Sequence, residues 1–293
     1  MKLIFIHGRA QEDYEETYLK QLWTDSLKEG LKSANLELPS QLKIEFPYYG
    51  KLLKKLVDEA KSKPSSKTVT RSQNVINETA EYEFFRSYLS EMVSQSDLSI
   101  QEQVVLQDKL AKKRGVLNWE AIQAVLAILD NVSAFGDLTL KQFTEDVFLY
   151  LNISGIKSQV NDVVEKCFDE EPCVVVGHSL GSVVSYLVLK QNPEYRVQKL
   201  ITVGSPLGVK AVKKYLSAPL IMPKCIKDGW FNAFDPRDVV ALHPLDQKHF
   251  NINPSIENKK DVKNQTKGRH GIDGYLNDPI VAKTIYDALI SIS

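Results

Sequence analysis

The 293-residue sequence has no apolar run close to the roughly 18 residues that crossing a bilayer requires. Its first apolar run, Leu3–Ile6, is also shorter than the roughly 7–15 residues of a secretory core segment. The N-terminus therefore reads as a first β-strand, and a cytoplasmic protein is expected. Charge of one sign is lacking too: 37 acidic residues balance 37 basic ones. No electrostatic footprint calls for nucleic acid as a partner, and charge alone would not hold the chain on an anionic membrane. Cysteine is scarce. Cys167, Cys173 and Cys225 are an odd number without C-x-x-C spacing, which speaks against a disulfide framework or a zinc site and for thiols in a reducing compartment. G-x-x-x-x-G-K-[ST], G-x-G-x-x-G and H-E-x-x-H are missing as well.

What is there is an ordinary globular composition, 43% apolar and 25% charged, on a chain long enough to bury a sizeable core. Lys2–His7 reads as a buried strand entering a turn at Gly8. Tyr14, Tyr18, Leu19, Leu22, Trp23, Leu27 and Leu31 recur at helical spacing, and Leu42–Tyr48 reads as a second strand. This β-α-β order implies a parallel pair with a right-handed crossover. The pattern changes after Gly50. Residues 61–72 have the Ser, Lys and Thr content of a linker. Helical stripes follow: one on Phe84, Phe85, Tyr88, Leu89, Met92 and Val93, one over Ile100–Lys113 before Gly115, and one from Trp119 to Leu129, stopped near Gly136. Leu138–Leu151 also reads as helix. Alternation then resumes, with helices at Ile156–Phe168 and Leu180–Leu189 and a last one around Ile280–Leu289. Between them lie strands at Cys173–Val176, Lys199–Val203 and Trp230–Phe234. The expected fold is α/β, a mostly parallel sheet with helices on both faces. Its core comprises residues 1–59 and 136–293, and a helical cap or lid is inserted at 60–135, a stretch too long for a plain loop.

The sharpest motif is Gly177-His178-Ser179-Leu180-Gly181, directly after the apolar strand and at the start of a helical segment. G-x-S-x-G alone would turn up by chance in about one chain in ten of this length; the strand before and helix after cut that by about another order of magnitude. In such an elbow the serine sits on a strained turn, and side chains at the flanking glycines would collide with the neighbouring strand and helix. The hydroxyl then projects at the C-terminal edge of the sheet, where open α/β sheets bind ligands.

On these residues the sequence resembles the α/β-hydrolase superfamily, and within it the lipase- and esterase-like members with a GHSLG elbow. The resemblance covers about 1–55 and 137–293. It implies the chain order serine, acid, histidine, with Ser179 as nucleophile. His270, in the loop before the last helix, is the implied base, and His270-Gly-Ile-Asp-Gly-Tyr275 resembles an H-x-x-x-x-Y stretch of some bacterial lipase-like hydrolases. His243 is the alternative. For the acid, Asp238-Val-Val-Ala resembles the D-x-V-P turn of lipases; Asp235, at the strand end, is the alternative acid. The oxyanion hole is expected from the backbone N–H groups of Leu180 and of Arg9, in the loop His7-Gly8-Arg9-Ala10. The Arg9 side chain meets either an anionic substrate group or a surface salt bridge. Phe84, Phe85 and Tyr88 either pack helices or line an acyl pocket. The implied activity is hydrolysis of carboxylic esters, small-molecule or lipid, through an acyl-enzyme, without cofactor or metal and with transient membrane contact possible. Thioester or amide hydrolysis, and a non-catalytic protein-interaction module, are the alternatives. The pattern says nothing of oligomeric state.

Overall fold

The computed structural model describes residues 1–9, 11–62, 76–111, 117–133 and 139–292. Six strands form one sheet, every pair of neighbours parallel: β1 Lys2–Ile6, β2 Lys43–Glu45, β3 Cys173–His178, β4 Val197–Val203, β5 Trp230–Ala233 and β6 Glu257–Lys259, in the spatial order β2-β1-β3-β4-β5-β6. β1 and β3 are buried along their length, and β4 at all but Lys199, because helices cover both faces. Side chains alternate along β1, β3 and the second half of β4. Leu3, Phe5, Val174, Val176, Ile201 and Val203 enter one core, while Ile4, Ile6, Val175 and Leu200 enter the other.

Three helices close the first face: α1 (Glu16–Lys32), α10 (Ile272–Leu276) and α11 (Pro279–Ile290), with α1 lying against the other two. The second face carries α2 (Gly50–Ser62), α7 (Ser154–Glu165) and α8 (Leu180–Gln191). The same apolar cluster takes in α3 (Glu78–Gln95), α4 (Ile100–Ala111), α5 (Trp119–Ser133), α6 (Leu140–Asn152) and the short α9 (Lys210–Lys213). The all-parallel α/β architecture is the one expected.

Several details differ from the sequence reading. β2 stops at Glu45, because Phe46 turns into the core and Pro47 has no N–H for a ladder. Helix α2 was not expected; its buried Leu53, Val57 and Ala60 keep helical spacing inside a lysine-rich stretch that reads as polar. The edge strand β6 is three polar residues and has no pattern to detect. Helix α7 runs two residues earlier than expected and ends at Glu165. The expected linker beyond Ser62, the helix stops at Gly115 and Gly136, and Ala10 lie outside the described residues. Cys173 and Cys225 are buried and Cys167 is half-buried, all three unbridged. Burial pushes their thiols up, to about 12 for Cys173 and about 11 for the other two.

The sheet order places the site. From β1 the chain crosses to β2 on one side, and β3 pairs on the other, so the strand order reverses between β1 and β3. Loops leaving the C-terminal ends of two such strands diverge and open a crevice. Ile6 pairs with Gly177, Gly177 with Thr202, and Val203 with Ala233. The ends of β1, β3, β4 and β5 therefore stand level at one edge.

Candidate active site

Ser179 occupies the single residue between β3 and α8, with φ 56° and ψ −128°. A non-glycine residue in this region is strained by about 1 kcal/mol or more. The surroundings hold it there. Its N–H donates to the Val203 carbonyl at 3.2 Å, and its own carbonyl accepts from Ser182 N at 3.0 Å and Ser182 Oγ at 2.6 Å. The flanking glycines are steric requirements. A Cβ on Gly177 would stand 2.6 Å from Ser185 Oγ and 2.9 Å from the Gly181 carbonyl. One on Gly181 would drive into the carbonyls of Ile6 and His7, so the start of α8 can touch the end of β1 only without a side chain.

His270 reaches this serine from 91 residues away, its Nε2 at 2.9 Å from Ser179 Oγ. Its Nδ1 lies 2.7 Å from Asp238 Oδ2. These partners fix the neutral tautomer: Nδ1–H donates to the carboxylate, and Nε2 accepts from the hydroxyl. Asp238 is buried yet richly solvated by protein donors. Its Oδ1 accepts from the amides of Val240 at 2.8 Å and Ala241 at 3.4 Å, and its Oδ2 also accepts from the Tyr275 hydroxyl at 2.6 Å. The Tyr275 phenol is held far above its usual range, first by burial and then by the charge of Asp238. It therefore stays a proton donor.

The histidine inside the motif has a task of its own. His178 Nε2 lies 2.8 Å from the His270 carbonyl oxygen, to which it donates. Burial, with the neighbouring His270 second, pushes its imidazole well below the usual histidine range. A buried neutral His178 pins the backbone of His270 without adding charge.

The alternatives stand apart. Asp235 is buried, but its carboxylate accepts from Arg237 N at 2.8 Å and Asn264 N at 3.0 Å. It ties two loops together rather than meeting His270. His243 pairs with Glu91 at 2.8 Å and stacks on His249 at 4.4 Å. Arg9 follows β1 as expected, and Leu180 opens α8, where the first N–H groups have no helical partner. The Arg9 side chain makes no surface salt bridge. It is 8% exposed, bonded through Nε to Asp146 of α6 and through Nη1 to Glu12 at 2.6 Å. His7 lies beneath this loop, Nδ1 donating to the Gly8 carbonyl at 2.7 Å and Nε2 accepting from Tyr49 N at 3.0 Å. Burial brings its imidazole down to about 4.

The aromatic stripe of α3 packs helices. Phe84 meets Phe148 and Tyr215, and Phe85 meets Trp119. It also leads to the site: Tyr88 stands edge-on to Phe143, and Phe143 edge-on to His270 at 6.2 Å. Among the described residues, no group of three or more His, Cys, Asp or Glu is placed to hold a metal. The roles of Tyr275 and His178 escape sequence reasoning; the H-x-x-x-x-Y spacing and the motif's own histidine are the only traces of them.

The parallel α/β sheet and the strained serine between β3 and α8 are similar to those of lipase-like α/β-hydrolases. A family model described as lipase (class 3) matches residues 118–247, from α5 through the elbow to the loop after β5. That likeness supports a lipase-type, ester-hydrolysing function in general. No curated protein matches the chain. Among the described residues no helix is long and apolar enough to cross a membrane.

Proposed function

We propose that the protein is a serine hydrolase that cleaves carboxylic esters, lipid esters included, through an acyl-enzyme. The observation that carries this reading is the unbroken line Ser179 Oγ–His270–Asp238, with distances of 2.9 and 2.7 Å. Ser179 Oγ attacks the ester carbonyl carbon while His270 Nε2 takes its proton. Asp238 orients the imidazole and stabilises the imidazolium without becoming protonated. The amides of Arg9 and Leu180 hold the oxyanion, flanking the crevice between β1 and β3. Collapse of the tetrahedral intermediate breaks the C–O bond, and His270 returns the proton to the departing alcohol. A water, deprotonated by the same His270, then attacks the acyl carbonyl and frees Ser179 and the acid.

The described helices α3, α4 and α5 act as the cap in this reading. The ring contacts from Tyr88 through Phe143 to His270 put apolar surface beside the reacting atoms, which suits an acyl chain. Ile100, Val104 and Val105 of α4 face outward and give the cap an apolar surface with which to meet lipid.

The test is covalent labelling with a fluorophosphonate. Wild type should label at Ser179 and Ser179→Ala should not, with an unchanged melting temperature. An unlabelled wild type would replace the enzyme with a binding module. A panel of matched esters, thioesters and amides then fixes the leaving group: esters should turn over fastest, and a faster thioester or amide would reassign the reaction.

A further inference from the structure

The hydroxyl of Tyr275 is not accounted for by the mechanism above. Tyr275 is fully buried on α10, yet its oxygen is 2.6 Å from Asp238 Oδ2, the same oxygen that faces His270 Nδ1 at 2.7 Å. Its oxygen also accepts the N–H of Asp235 at 3.3 Å. One phenol thus bridges the strand end at 235 and the carboxylate at 238.

Building on the proposed function, we infer that Tyr275 is a positioning residue that sets how strongly Asp238 holds the charged form of His270. An oxygen that already accepts a short hydrogen bond from a phenol carries less negative charge toward a second donor. The imidazolium formed during attack is therefore stabilised less than it would be by Asp238 alone. In exchange, the carboxylate cannot rotate, since Val240 N and Ala241 N hold Oδ1 while the phenol holds Oδ2. His270 is thereby kept aligned and its proton is easier to return to the leaving group.

Other charged or titratable groups face this pair, and none takes the place of the phenol. His178, at the end of β3, lies against His270 but is buried and neutral. Tyr88 of α3 feels the charge of Asp238, but its hydroxyl donates to the Val240 carbonyl at 3.2 Å. Glu91 of α3 is paired with His243. Asp235 is bonded to backbone amides, and Arg237 lies 3.6 Å from it. Arg269 precedes His270 and, among the described residues, makes no bond to Asp238.

Two replacements at one position test the inference through opposite shifts. Tyr275→Phe removes the donor, so the acid limb of the pH profile of kcat/KM should move up by about half a pH unit. kcat should fall about 3- to 10-fold. Replacing Tyr275 with 3-fluorotyrosine keeps the hydroxyl and makes it a stronger donor, so the limb should move down. Tyr186→Phe removes a buried phenol whose oxygen accepts from Ile221 N at 3.3 Å, and should leave the limb where it is. A merely structural Tyr275 would lower kcat without moving the limb. Limbs that coincide with wild type, or that shift the same way in both replacements, would overturn the inference. If Tyr275→Phe fails to fold, the direction of the fluorotyrosine shift decides alone. Fluorophosphonate labelling separates the two levels: wild type unlabelled at Ser179 defeats the proposed function, whereas labelled proteins with unmoved limbs defeat only the role of Tyr275.

Discussion

The two sides of the site are built by different means. On the elbow side, β3, Ser179 and α8 are contiguous in sequence and held by backbone: the parallel ladder, the Ser179 N–H on Val203, and close packing across Gly181. On the other side, Asp238 and His270 sit on long irregular loops, 32 residues apart. Those loops are held mainly by the side chains of Asp235, Asn258, Asn264 and Thr266 bonding to backbone. Asn264 alone donates to the Gly271 carbonyl at 2.8 Å, accepts from Thr266 N at 3.0 Å, and offers its own N–H to Asp235 at 3.0 Å. Asn258 does the same for the loop after β5, exchanging bonds with Leu245 at 2.8 and 3.0 Å. The nucleophile is fixed by sterics and ladder, and its base and acid by a network of satisfied polar groups.

This contrast can be broken at several points. Asp238→Asn should have the largest effect, lowering kcat about 10³- to 10⁴-fold by favouring the wrong tautomer of His270. Single-turnover kinetics would show it, beside a stability cost of about 1–2 kcal/mol from donors left facing the amide NH₂. Gly181→Ala attacks the other side. Its methyl meets the carbonyls of Ile6 and His7, and the cost should be about 3 kcal/mol in chemical denaturation. A wild-type-like midpoint would show that β1 and α8 can part without penalty.

His7 links the elbow side to pH. Its imidazole is neutral in the folded protein down to about 4, against 6.5 for the free residue. Between those values the unfolded chain binds the extra proton, so stability is complete above 6.5 and falls as pH drops toward about 4. The loss should be on the order of 3 kcal/mol over that window. His7→Gln can accept from Tyr49 N and donate to Gly8, and should flatten the pH dependence of the melting temperature.

Asn264→Ala probes the loop network. It should destabilise by about 2–3 kcal/mol by leaving the Gly271 carbonyl and the Thr266 amide unpaired. kcat should fall about 10- to 100-fold as His270 loses its alignment, a drop that Gly181→Ala at matched stability would help to interpret. Asp235→Asn should do least. One of its two amide partners would face an NH₂ group, at about 1–2 kcal/mol of stability, while kcat stays within a few-fold of wild type. A larger loss in Asp235→Asn than in Asp238→Asn would exchange the two aspartates.

The same division explains what could be read in advance. β1 and β3 were visible as short, continuous apolar runs, β4 as a broken one, and α1, α3, α5, α6 and α8 as apolar stripes, because burial on one or two faces leaves a period in the sequence. The elbow was visible because its close backbone approaches leave no room for a side chain at Gly177 or Gly181, on either side of the strained Ser179. Helix α2 was obscured by its lysines, and β6 is too short and polar to leave a period. On the Asp238 side, two aspartates three residues apart look equivalent, and only the fold decides which one faces His270. The buried pairing of Arg9 with Asp146 was equally hidden, since it spans 137 residues and joins the loop after β1 to α6.

By itself, then, the chain determined its layers, its parallel sheet and the bend that carries Ser179. Periodicity and steric exclusion act over a few neighbouring residues and are written locally. The tertiary structure alone decided that Asp238 rather than Asp235 bonds His270, that Tyr275 shares that carboxylate, and that His178 holds the histidine loop. Each of these is a directional hydrogen bond between segments brought together only by folding, and its geometry exists nowhere in the linear order of residues.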